Sequence, residues 1–155
     1  MRLGTVLYIL VPMATNGVLA FGAFLLFPHE FTENLTACYW TAAIAIATSL
    51  VSVGGFFLHD IGPLRAVASL ISQAVALIFV FAGIYRGFGL DGAEPLVGHD
   101  IALYFSIVTW TTLGYGDLAP ARGIELLAAL QAGVGYVFLG LIVGLVANLL
   151  SGRTN

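Results

Sequence analysis

Residues 111–117 read Thr-Thr-Leu-Gly-Tyr-Gly-Asp. Two glycines separated by one tyrosine let the backbone take φ values that ordinary residues resist. An extended segment built this way can aim successive carbonyl oxygens toward one axis. Such oxygens give a dehydrated cation several ligands at close range, without the full charges that would trap it. A plain glycine-rich turn between two helices would explain neither the threonine pair nor Tyr115 and Asp117 at these spacings.

The heptad resembles the signature of potassium channels. The likeness continues upstream through Tyr104-Phe105-Ser106-Ile107-Val108-Thr109-Trp110, which is similar to the family's pore helix. Downstream it runs through Leu118-Ala119-Pro120 into an inner-helix-like segment, and in all it covers residues 64–150. That family is the standard illustration of a carbonyl-lined selectivity filter. The resemblance implies a homotetramer, because one chain supplies one wall of a filter and four copies around an axis close it. It implies K+ as the transported ion, no cofactor, and ion-coordinating residues Thr112, Leu113, Gly114, Tyr115 and Gly116, with Tyr104, Trp110, Thr111 and Asp117 supporting them. It also implies a gating hinge in the inner helix, for which Gly135 is best placed and Gly133 and Gly140 remain alternatives. Two positions depart from the family pattern. Leu113 is unbranched at Cβ where valine or isoleucine is commoner. Val108 stands where some relatives carry a glutamate that clamps the signature aspartate, and Tyr104 is the matching aromatic donor in relatives that lack it.

A filter needs helices to hold it, and the composition supplies the setting. The chain has 155 residues, 60% hydrophobic and 8% charged, where soluble domains are about a quarter charged. About 20 apolar residues cross a bilayer. Residues 3–27, 37–58, 64–85 and 125–150 satisfy that, and the first of them contains Pro12, Asn16 and Gly17 in mid-span. Residues 100–111 are too few to cross. They fit a short re-entrant helix, opened by Asp100 as N-cap or first-turn acid, whose carbonyl end favours a cation beyond it. Irregular backbone at membrane depth survives only when buried in protein or lining water. The expectation is therefore an all-α membrane protein with four transmembrane helices, a re-entrant pore helix and a filter loop, assembling as a tetramer. Residues 1–62 form an N-terminal two-helix hairpin and residues 63–155 the pore domain.

Charge placement completes the reading. With the mouth of the filter outside, both termini are cytoplasmic in a multi-pass protein of the plasma membrane. Arg2, Arg65 and Arg153 then lie inside and Arg86 and Arg122 outside, in weak agreement with the positive-inside rule. Seven of the eight acids fall outside, where an acidic vestibule concentrates cations. No span carries arginines at every third position, so a voltage sensor is not expected. His29, His59 and His99 sit in expected loops, and Cys38 has no intrachain partner. No metal-ligand cluster or nucleophile–base pair supports an enzyme, and no basic cluster suggests nucleic acid. Ser69, Ser72 and Gln73 recur at helical spacing and are expected to face another helix. The sequence supports a potassium-selective channel first. A weakly selective cation channel and a non-conducting subunit, whose hairpin docks on another membrane protein, are the alternatives.

Overall fold

The computed structural model describes residues 34–58, 62–93 and 97–151, with isolated positions 14, 17, 18 and 22. The first expected span, residues 3–27, falls outside the described residues except at those isolated positions. Among the described residues three helices are long and apolar enough to cross a membrane: α1 (Leu35–Leu58), α2 (Pro63–Phe88) and α4 (Glu125–Ser151). Between the last two lies α3 (His99–Trp110), of 12 residues. At about 1.5 Å per residue it extends roughly 18 Å, well short of a hydrocarbon core of about 30 Å.

Local chemistry explains the boundaries. Pro63 opens α2, where its missing N–H costs nothing, and Arg86 sits in the last turn beside the negative end of the helix dipole. Gly98 takes the N-cap position of α3 with no side-chain cap, and Asp100 serves as its first-turn acid. Beyond α2, the two-residue strand β1 (Leu90–Asp91) pairs antiparallel with β2 (Ala119–Pro120). Leu90 faces Pro120 and Asp91 faces Ala119. This clip, absent from the sequence-based expectation, ties the loop after α2 to the segment that follows the heptad.

The core is the seam where α2 meets the other helices. Leu70, Leu77, Val80, Phe81, Ile84 and Tyr85 of α2 are essentially inaccessible, as are Ala102 of α3 and Leu127 and Phe138 of α4. The Tyr85 and Phe105 rings meet nearly at right angles at a centroid distance of 4.7 Å. Helix α1 packs on the same unit rather than standing apart. Its Tyr39 hydroxyl donates to the Gly123 carbonyl at 3.0 Å. Gln73 of α2 donates through Nε2 to Ser52 of α1 and to Ser69, at 3.1 and 3.2 Å. Ser69 and Gln73 thus face a helix as expected, whereas Ser72 is exposed. Helix α4 differs from α2. Only 11% of its most apolar window is buried, against 61% for α2, so most of its apolar surface is open in a single chain.

Candidate ion-conduction site

Helix α3 delivers the chain to the heptad, and its last carbonyls are occupied by the first amides beyond it. Thr111 N donates to Ile107 O at 2.9 Å, Thr112 N to Thr109 O at 3.1 Å and Leu113 N to Val108 O at 3.0 Å. The Thr111 hydroxyl adds a bond to Ile107 O at 2.8 Å. From there the sign of φ alternates. Thr112, Gly114 and Gly116 have φ of 57°, 53° and 77°, while Leu113 and Tyr115 keep negative values. Alternating right- and left-handed residues bring successive N–H groups to one side of the strand, which leaves the carbonyls to the other. An alternation of this kind is compatible with carbonyls of residues 112–116 that share one side of the segment.

Sequence reasoning assigned the left-handed conformation to the glycines alone. Thr112 shares it and is the only non-glycine residue with positive φ among the described residues. For a β-branched residue this is a true outlier, at a cost of about 1–3 kcal/mol. The two amide bonds on either side of it, to Thr109 O and Val108 O, hold it there. Strain of this kind persists only where the surrounding structure holds it, as the bonds to α3 do here.

Asp117 ends the heptad, and the Tyr104 hydroxyl donates to its Oδ2 at 2.8 Å. The bond to Asp117 raises the Tyr104 pKa, with desolvation and the carboxylate's charge acting in the same direction, so the phenol stays a donor through neutral pH. The Tyr104 and Tyr115 rings lie parallel, 2° apart in orientation, with centroids at 6.4 Å. Tyr104 thus touches both the tyrosine and the aspartate of the heptad. Val108, buried, has no side-chain donor to add.

Trp110 is buried, and Phe138 of α4 meets it edge-on at 5.6 Å. Gly135 packs against the Trp110 backbone so closely that an added Cβ would overlap the Trp110 carbonyl oxygen. Gly133 and Gly140 have open space at the same point. The glycine nominated as hinge is therefore also the place where α4 touches the end of α3. A polar group that sequence reasoning missed lies one turn earlier. Gln131 Nε2 donates to Ser106 Oγ at 2.7 Å and to Ser106 O at 3.2 Å. Its Oε1 accepts from Tyr85 at 2.6 Å, and Ser106 Oγ donates to Ile78 O at 2.7 Å. The available signal was a glutamine amid an apolar run, since a polar group at membrane depth needs a partner.

The geometry is thus a short helix, a segment of alternating φ and a spanning helix, with no catalytic constellation among the described residues. A family model described as an ion channel matches residues 73–152, more than half of the chain. Two-pore potassium channel 5 of Arabidopsis thaliana is 36% identical over 87 residues, covering 52% of this chain and 21% of that protein. A protein of Rhodopseudomonas palustris described as a "putative potassium channel protein" is 43% identical over 51 residues, covering 32% of this chain and 12% of its own length. The chain spans about a fifth or less of the length of these curated relatives. No solved structure matches it. By its helices and by this match, the chain is a multi-pass membrane protein that belongs to the ion channel family, not an enzyme.

Proposed function

We propose that the protein is a potassium-selective channel whose filter is formed by the carbonyls of Thr112, Leu113, Gly114, Tyr115 and Gly116 and by the Thr112 hydroxyl, in a homotetramer. The observation that carries this reading is the alternation of φ through Thr112, Leu113, Gly114, Tyr115 and Gly116. Such an alternation can aim one oxygen per residue to a common side, and a dehydrated cation needs such a ladder from several chains at once. Two features support four copies around an axis. Leu113 and Tyr115 are 58% and 67% exposed in one chain, and α4 leaves most of its apolar surface uncovered. Potassium is favoured as the cargo because both named relatives carry it in their descriptions.

In this reading residues 63–155 are the pore domain and residues 1–62 an accessory hairpin, with both termini cytoplasmic and the filter mouth outside a cell membrane. The bond that Tyr39 donates to Gly123 and the one that Ser52 accepts from Gln73 favour the hairpin as a packing collar over a docking surface for a separate membrane protein. Reconstitution into liposomes tests the whole proposal. Potassium flux that excludes sodium is expected, from a particle of fourfold symmetry in detergent. Equal potassium and sodium flux would make it a weakly selective cation channel. No flux at all would favour a non-conducting subunit, and a monodisperse monomer that still passed potassium would sink the tetramer.

Tyr104 supplies a separate check. Tyr104→Phe removes the donor to Asp117 and keeps the ring. Potassium selectivity should persist, while conduction collapses roughly threefold to tenfold faster, a charge-assisted bond discounted for its partial exposure. The effect should be largest at low external potassium, when fewer ions prop the filter open. Parental time courses across a range of potassium concentrations would reduce Tyr104 to a packing ring.

A further inference from the structure

A short helix that ends in a filter has a positional problem. Helix α3 is joined to loops on both sides, and apolar contacts along its flanks permit sliding by a fraction of a turn. Directional bonds do not. Three of them converge on Ser106, near the middle of α3: two from Gln131 of α4, and one donated by Ser106 to the Ile78 carbonyl of α2. Tyr85 of α2 closes the figure by donating to Gln131 Oε1. Gln131, Ser106 and Tyr85 are all inaccessible to solvent.

Every buried polar side-chain atom of the cluster has a partner. The Gln131 amide nitrogen is used on two Ser106 acceptors, its oxygen is used on Tyr85, and the Ser106 hydroxyl both donates and accepts. The amide orientation is determined, because the Ser106 carbonyl can only accept and a flipped amide would face it with oxygen. A fully satisfied buried polar group of this kind fixes a unique arrangement, and a half-satisfied one costs more than an apolar seam. Gln131 and Gly135 are one turn apart on α4, as Ser106 and Trp110 are on α3. The polar tether therefore lies directly above the contact between Gly135 and the residue that precedes the heptad.

We propose that Gln131 is a positioning residue of the ion pathway: by tethering Ser106 it sets the height of α3, and hence of the carbonyls of residues 112–116, relative to α4. The consequence for ion selection rests on the potassium-channel reading; the tether itself does not. Gln131 acts through Ser106 and contributes no ion ligand.

The test uses the full-length protein with Gln131→Met, Ser106→Ala, the double variant and Tyr85→Phe, each compared with the parent. Methionine keeps the length of the side chain without its polar atoms. Losing a buried bond with its partner left unpaired should lower the potassium-over-sodium permeability ratio about tenfold in Gln131→Met. Ser106→Ala should do the same. The double variant should lose less than the two single losses combined, because both single variants remove the bond from Gln131 Nε2 to Ser106 Oγ while each also removes bonds of its own. Tyr85→Phe, which leaves the Ser106 bonds intact, should have a smaller effect and guards against a folding defect in the others. Additive losses, or a parental permeability ratio in both Gln131→Met and Ser106→Ala, would overturn the inference.

Amide hydrogen exchange supplies a readout independent of which ion passes. Exchange across residues 102–113 should rise about tenfold in Gln131→Met, with residues 70–80 unchanged. Unchanged exchange across residues 102–113 in Gln131→Met and Ser106→Ala overturns the tether even if the parent is fully potassium-selective. Accelerated exchange confined to that segment, in a protein whose parent passes sodium as readily as potassium, upholds the tether and sinks the potassium reading instead.

Discussion

Alanine at Gly114 should abolish selective flux and leave the helices assembled. No atom lies within 4 Å of the position its Cβ would occupy in one chain, so the loss would not come from a clash. It comes from φ of 53°, where an L-residue sits about 1–2 kcal/mol above its right-handed alternative. In the proposed tetramer four chains each bear that cost, roughly 4–8 kcal/mol for the assembly. The cheapest relief is for the residue to leave the left-handed region. That would break the alternation with Leu113 and Tyr115 and rotate carbonyls off the common face. Thr112 already bears a similar strain one turn of the alternation earlier, held by bonds to the end of α3. Gly114 is beyond the reach of those bonds, which is why a side chain is tolerated at one position and not expected to be at the other. Potassium and sodium flux from liposomes measures the outcome. A Gly114→Ala protein as selective as the parent would show that residues 112–116 do not form the filter.

What could be read from the sequence divides along physical lines. The short helix α3 was legible because its length forbids a crossing, and the Tyr104–Asp117 contact because the resemblance to potassium channels implies an aromatic donor at that position where the glutamate is replaced by Val108. The glycines' left-handed φ follows from their lack of a Cβ. The same argument could not find Thr112, since nothing in a threonine announces positive φ, and only the bonds from Thr112 and Leu113 back to α3 explain it. The clip between Leu90–Asp91 and Ala119–Pro120 was equally hidden, being two residues long on each side. Gln131 carried a signal, a lone amide in an apolar helix, but its partner Ser106 lies 25 residues away and no local pattern joins them. The four α4 glycines look alike in sequence. The structure separates Gly135 from the others by what lies opposite it.

That separation gives the second large effect. Gly135→Ala is expected to destabilise the assembled protein, and Gly133→Ala and Gly140→Ala to leave it at or above parental stability. A methyl group at Gly135 would meet the Trp110 carbonyl oxygen, while Gly133 and Gly140 have nothing within 4 Å in the chain. Backbone cannot rotate away as a side chain can, so α3 or α4 must shift, at about 1–3 kcal/mol for each chain. At the two open positions alanine instead gains roughly 0.5–1 kcal/mol over glycine in a helix interior. The shift at Gly135 has a direction that matters. Trp110 is the last residue of α3, so displacing it displaces Thr111 and Thr112, and flux should fall together with stability. A pure hinge would behave otherwise. Helix α4 runs unbroken from Glu125 to Ser151, and alanine at a hinge would stiffen it, reducing opening without lowering the temperature at which the tetramer dissociates. Heating each variant in detergent and following the proposed tetramer by size exclusion therefore decides between contact and hinge. A Gly135→Ala tetramer that dissociates at the parental temperature yet opens rarely would assign Gly135 to bending. Dissociation at a lower temperature, with Gly133→Ala and Gly140→Ala unaffected, would assign it to holding α3 and its filter against α4. Equal losses at all three positions would point to general packing along α4 and remove Gly135 from any special role.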